Sequence, residues 1–177
     1  MKILLFSILF VLVHSAVGDD IFIDKGACPG EGCLYPEEWM VLSEVKVYAE
    51  PDMNSALITV LEQGAKLTTI TGEVHTIPGK FIVKKLAKAF KPGDEVWLYT
   101  YLGEGRFKLK HNEEIVIADL NFSPIGEAPS NRCAHNSTRC FGELSAELKF
   151  TWWVNIETQA KVQGWIAYGP NLQRPVQ

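Results

Sequence analysis

The chain has 177 residues, 47% of them hydrophobic and 21% charged, with a formal net charge of −4. That length fits one domain or two very small ones, and the composition excludes wholesale disorder. An acidic balance without a basic stripe argues against nucleic acid as a partner; its plain consequence is solubility.

The first stretch reads as a targeting signal. Met1-Lys2 is a short basic start, residues 3–13 are apolar apart from Ser7, and small residues stand at 16 and 18. This is the plan of a secretory signal over residues 1–18, cut after Gly18. The apolar run is shorter than a bilayer span requires, so no membrane span is expected after cleavage. Cleavage removes Lys2 and no acid, leaving 16 basic and 21 acidic residues and a net charge of −5.

The cysteines agree with export. Cys28, Cys33, Cys133 and Cys140 form two close pairs, the framework of two disulfides in an oxidising compartment. The local pairing 28–33 and 133–140 is favoured, because Pro29-Gly30 and the polar residues 133–140 can turn the chain back. The other connectivities stay open. A four-thiolate zinc site normally uses tighter C-x2-C knuckles than these spacings. No metal and no cofactor is assigned, and the protein is expected to be secreted or periplasmic.

Along the chain, residues 19–38 read as an irregular lead-in pinned by Cys28 and Cys33, and residues 39–177 as a β region. Residues 39–42 and 45–48 begin the strand-like runs, and a polar loop follows at 49–55. Residues 57–61 and 65–71 are the next strands, and Gly72 ends the second. Residues 74–77 and 81–83 are short strands, followed by a basic cluster whose residues 84–90 fit at most one helical turn. Lys91-Pro92-Gly93-Asp94 predicts a type II turn. Residues 95–102 alternate, placing Trp97, Tyr99 and Tyr101 on one face. Residues 106–110 and 114–117 pair through a hairpin tip at His111-Asn112. Residues 121–136 are loop-like. Leu144 and Leu148, with Glu143 and Glu147, stand at helical spacing, which predicts one short helix in residues 141–150. The last pair of strands is the tryptophan-rich stretch 151–168. Many short strands separated by Gly and Pro turns mark a mainly β fold, a barrel or sandwich, rather than βαβ units.

Two parts of the chain resemble a family. VKVYAEP at 45–51, a polar loop, the apolar run 57–61 and Gln63-Gly64-Ala65-Lys66-Leu67 look like the opening half of a bacterial SH3-like domain. Residues 153–158, a turn, and Gly164-Trp165-Ile166 are similar to its closing half. The resemblance implies SH3-like barrels of short antiparallel strands. Either one barrel carries a large insertion at about 87–150, or two small barrels pack together. It also implies a binding protein of the cell envelope, with peptidoglycan peptide or an envelope protein as partner. No hydrolase domain accompanies it, and no enzymatic activity is expected.

Candidate site residues follow from alternation. If Val154 and Ile156 face the core, Trp152 joins them and Trp153 points outward, where it would stack on a peptide or sugar. Packing under a loop is the plainer role for Trp153. Trp97, Tyr99 and Tyr101 would line a second groove, unless that face is covered as well. Glu73 and His75 share one strand face, the minimum for acid–base chemistry, but no third partner or nucleophile motif accompanies them. An enzyme with a site near Glu73 and His75 is the alternative reading. A purely structural or inhibitory secreted protein is the third.

Overall fold

The computed structural model describes residues 21–30, 33–87, 89–120 and 141–174. The expected signal, Cys133 and Cys140 lie outside them. Among the described residues, thirteen strands form two antiparallel sheets. The mainly β reading holds.

The larger sheet takes the first five and the last three of these strands. Its strands are β1 (Phe22–Lys25), β2 (Glu38–Val41), β3 (Val45–Tyr48), β4 (Leu57–Leu61), β5 (Lys66–Ile77), β11 (Lys149–Thr158), β12 (Gln163–Ala167) and β13 (Leu172–Gln173). Their order is β13-β2-β5-β11-β12-β3-β4. β1 lies on the same edge of β5 as β2 but farther along it: β2 pairs with Lys66, Leu67 and Thr68, and β1 with residues 73–76. The sheet curls around a core of Trp39, Val47, Val74, Trp152, Val154 and Ile156, among others, and its order ends on β13 and β4 without closing. Gly164 allows that curl. A Cβ there would come 2.6 Å from Val47 Cγ1 and 2.8 Å from the Tyr48 carbonyl, so β3 could not approach β12.

The smaller sheet lies between β5 and β11 in sequence. It comprises β6 (Gly79–Val83), β7 (Glu95–Gly103), β8 (Arg106–His111), β9 (Glu114–Asp119) and β10 (Gly142–Ala146), in the order β10-β6-β7-β8-β9. It has its own core, including Phe81, Val96, Leu98, Phe107 and Leu109. All five strands of this sheet come from residues 79–146, between β5 and β11 in the chain. The turns follow the sequence. Gly93 has φ 96°, as a type II turn demands, and the Asp94 amide donates to the Lys91 carbonyl at 3.0 Å. Asn112 and Glu113 both have positive φ between β8 and β9, as a two-residue hairpin loop requires.

Three local readings change. The short helix expected in residues 141–150 is β10 followed by the start of β11, and no helix occurs among the described residues. Phe141 and Leu144 pack on the smaller core, and an irregularity between Leu144 and Ala146 breaks strict alternation. The i, i+4 leucines thus imitate a helical stripe. Gly72 does not end a strand: β5 runs through it for 12 residues. A Cβ at Gly72 would lie 2.7 Å from Trp152 Nε1, so the glycine permits close packing within the strand. The irregular lead-in contains β1, and Cys28 and Cys33 pair within it, with Cα atoms 6.1 Å apart.

β1 also joins the two sheets. Phe22 stacks on Tyr99 with ring centroids 4.0 Å apart. Asp24, buried, accepts hydrogen bonds at 2.7 Å from Thr100 Oγ1 on β7 and Lys108 Nζ on β8. Removing the carboxylate leaves Lys108 and Thr100 without their acceptor at this joint. Asp24→Ala is expected to lower unfolding free energy by about 3 kcal/mol, read from urea denaturation, whereas Lys66→Ala at an exposed pair should change it little.

Tyr35 sits over the larger core, where its hydroxyl accepts from Trp152 Nε1 at 3.1 Å. Burial raises the phenol above its ordinary value, against the opposing hydrogen bond from Trp152 and the nearby Arg174 charge. The folded protein thus holds this proton to higher pH than the unfolded chain. The corresponding stability is present below the ordinary phenol value of about 10 and is lost as pH rises through the raised folded value. Urea midpoints measured across this alkaline range should fall less steeply for Tyr35→Phe than for the parent.

Candidate functional site

The candidate site is a groove of about 670 Å³ on the outer face of the larger sheet. Its floor is set by the pairing of β5 with β11. From Leu67 to Thr69 the core side chains of β5 alternate normally, opposite Thr158 and Ile156. Then β5 carries one extra residue: Thr69 pairs with Ile156, but Thr71 pairs with Asn155, leaving Ile70 unmatched. This bulge shifts the phase. Beyond it Gly72, Val74 and Thr76 face inward, and Glu73, His75 and Ile77 face outward. Without the extra residue, Glu73 and His75 would continue the inward row of Leu67 and Thr69.

The outward residues stand in cross-strand rows. Ile23, His75 and Thr151 are aligned, as are Lys25, Glu73, Trp153 and Ala167. His75 Nε2 lies 3.0 Å from Glu73 Oε2, with both side chains largely buried. Trp153 packs against the His75 ring, and Tyr48 meets it edge-on at 6.0 Å between centroids. The β3–β4 loop forms the opposite rim. Its ends are tied by the Ala49 amide to the Ala56 carbonyl at 2.9 Å, and Asp52 Oδ1 accepts from the Asn54 amide at 2.9 Å. This Asx-type turn holds Met53 at the groove's edge.

The structure brings together two features that the sequence leaves separate: Trp153 and the Glu73–His75 pair. Trp153 points away from the core, as alternation requires, yet it is only 4% exposed. Its neighbours cover it, so it forms the floor rather than an open stacking platform. The accessible apolar surface is on the rim: Met53 is 60% exposed, Ile21 57%, Ile23 45% and Ile77 38%. These rim residues carry no sequence motif. They come from β1 and the residue before it, from β5 and from the β3–β4 loop, so only tertiary pairing assembles them.

Trp97, Tyr99 and Tyr101 do not share a groove. Tyr99 and Leu102 are extra residues in β7 opposite β8, and each shifts the alternation. Trp97 stays exposed, with Lys80 Nζ 5.4 Å from its ring centroid. Tyr99 stacks on Phe22. Tyr101, opposite Phe107, is buried in the smaller core. His111 is separate again: its Nε2 lies 3.2 Å from Asp94 Oδ2, outside hydrogen-bonding geometry.

Chemically, the groove offers apolar contact and one histidine–carboxylate pair. Thr151 is the hydroxyl residue beside His75 in its row. Among the described residues, no three His, Cys, Asp or Glu side chains converge to hold a metal ion. No family model, curated protein or solved structure matches this chain.

The two groove carboxylate and imidazole groups are expected to act as a unit. A double-mutant cycle with Glu73→Gln and His75→Ala, read by urea denaturation at neutral pH, should give a coupling of about 0.5–1 kcal/mol. The exposed Lys66–Glu38 pair should give less.

Proposed function

We propose that the protein is a non-catalytic binding protein of the cell envelope. It acts outside the cytoplasm, and its groove takes an extended apolar segment of another envelope protein. The observation that carries this reading is the ring of exposed apolar side chains, Ile21, Ile23, Met53 and Ile77, around a floor that is already folded. An apolar cleft with a few placed polar groups is the usual form of a binding site. Exposed hydrophobic residues scattered singly would have no such meaning, but here four of them line one concavity.

The polar groups would set orientation. His75 and Lys149 lie along the groove and can bond to the main chain or a carboxylate of the bound segment. The apolar rim favours a protein segment over wall peptide, whose stems carry charged and small residues. The SH3-like resemblance of residues 45–67 and 153–166 supports an envelope location, as do the signal-like residues 1–18 and the Cys28–Cys33 pair.

The test is retention of purified protein on isolated bacterial envelopes and on bare sacculi from the same cells. Ile77→Glu and Met53→Glu should each lower retention on envelopes by roughly tenfold, on the order of 1.4 kcal/mol. Trp97→Ala, remote from the groove, should bind as the parent does. Equal retention of parent and groove variants would sink the groove reading. Retention on bare sacculi equal to that on envelopes would exclude a protein partner.

A further inference from the structure

The inner side of the larger sheet holds an arrangement that the groove does not use. Trp39 on β2, Trp152 on β11 and Tyr168 after β12 pack together, with ring centroids 5.5 Å, 5.6 Å and 4.6 Å apart. Both indole nitrogens are committed. Trp39 Nε1 donates to Glu37 Oε2 at 2.9 Å, and Trp152 Nε1 donates to the Tyr35 hydroxyl at 3.1 Å. These bonds fix the orientation of the rings.

A cation occupies this cluster. The Arg174 guanidinium carbon lies 5.8 Å from the Trp39 centroid and 5.7 Å from the Trp152 centroid, over both rings. Its Nη2 is 3.6 Å from Glu37 Oε2, and the Glu37 side chain is only 8% exposed. Two indole faces and a desolvated carboxylate around one positive charge form the chemistry of a cation-recognising aromatic cage. The position of Arg174 in the chain matters. It follows β13, which is two residues long and lies on the sheet's edge. Asn171 is held separately, its carbonyl accepting from the Leu42 amide at 2.8 Å. Arg174 itself lies outside the β13–β2 pairing, which joins Leu172 to Val41 and Gln173 to Met40.

We propose that this cluster is a binding site for a guanidinium or alkylammonium group, filled in cis by Arg174 and taken by a cationic ligand that displaces it. The site is independent of the groove, because Trp152 and Trp153 are successive strand residues and face opposite sides of β11. The indole faces recognise the charge through their quadrupoles, and Glu37 selects cations over neutral isosteres. Arg174 lowers the apparent affinity in proportion to the time it fills the cage.

The experiment uses the full chain and its Arg174→Ala variant, with N-acetylarginine amide, tetramethylammonium chloride and the neutral isostere N-acetylcitrulline amide as probes. Tryptophan fluorescence and Tm are read at constant ionic strength. Arg174→Ala should bind N-acetylarginine amide about tenfold more tightly than the parent, the parent's cage being closed by its own residue. Citrulline should have no effect, and adding Glu37→Gln should remove the preference for arginine. A response to tetramethylammonium equal to that to arginine would assign recognition to charge over the rings, and a response to arginine alone to the guanidinium fork; each supports the cage. Equal affinity in parent and variant, equal response to citrulline, or no response to either cation would overturn the proposal. If Arg174→Ala fails to fold, Arg174→Gln serves in its place. Failure of both to fold would show Arg174 to be a fixed structural plug and end the proposal.

Discussion

The pairing of β5 with β11, with its single extra residue at Ile70, is the constraint on which the rest depends. A strand has two faces, and a one-residue shift exchanges them. Before the bulge, Leu67 and Thr69 face the core; after it, Gly72, Val74 and Thr76 do. That exchange lets Val74 meet Trp152 inside and sets Glu73 and His75 beside Trp153 outside. The core and the groove are therefore two products of one irregularity. A regular twelve-residue strand with this sequence would place a histidine and a glutamate in the hydrophobic interior, where a charge without full compensation is strongly unfavourable.

The second constraint is the joint made by β1. This short strand extends the edge of β5 and carries Asp24 to Lys108 and Thr100 on the other sheet. Its alternation divides its work. Phe22 and Asp24 fix the smaller sheet, and Ile23, with Ile21 just before the strand, lines the groove rim on the other side. Groove rim and sheet packing are thus coupled through four successive residues. The Arg174 cluster lies on the inner face of the same sheet and the groove on its outer face, so the two share the β5–β11 ladder without sharing a side chain.

Much of this was legible in the residues. The turns at Lys91-Pro92-Gly93-Asp94 and at Asn112 follow from local backbone preferences. The inward row Trp152, Val154 and Ile156 follows from period-two alternation, and the Cys28–Cys33 pair from spacing. Bulges were not legible, because they arise from pairing with a partner strand. Tyr101 shows the consequence: alternation from Trp97 puts it on an outer aromatic face, but the extra residue at Tyr99 turns it into the core. Residues 141–150 show another limit, since Leu144 and Leu148 fit a helical stripe and a broken strand equally well until β6 supplies a partner for β10.

By itself, the sequence determined the fold class, the turn positions and the composition of the core strands. These depend on local sterics and on the solvent preference of each side chain. Only the tertiary structure decided which face each aromatic takes, that Trp153 is a covered floor, that Glu73 and His75 meet it, and that Arg174 lies over Trp39 and Trp152. The physical reason is common to all four. Each depends on register between strands distant in sequence, and register is fixed by the sum of contacts along a ladder rather than by any one residue.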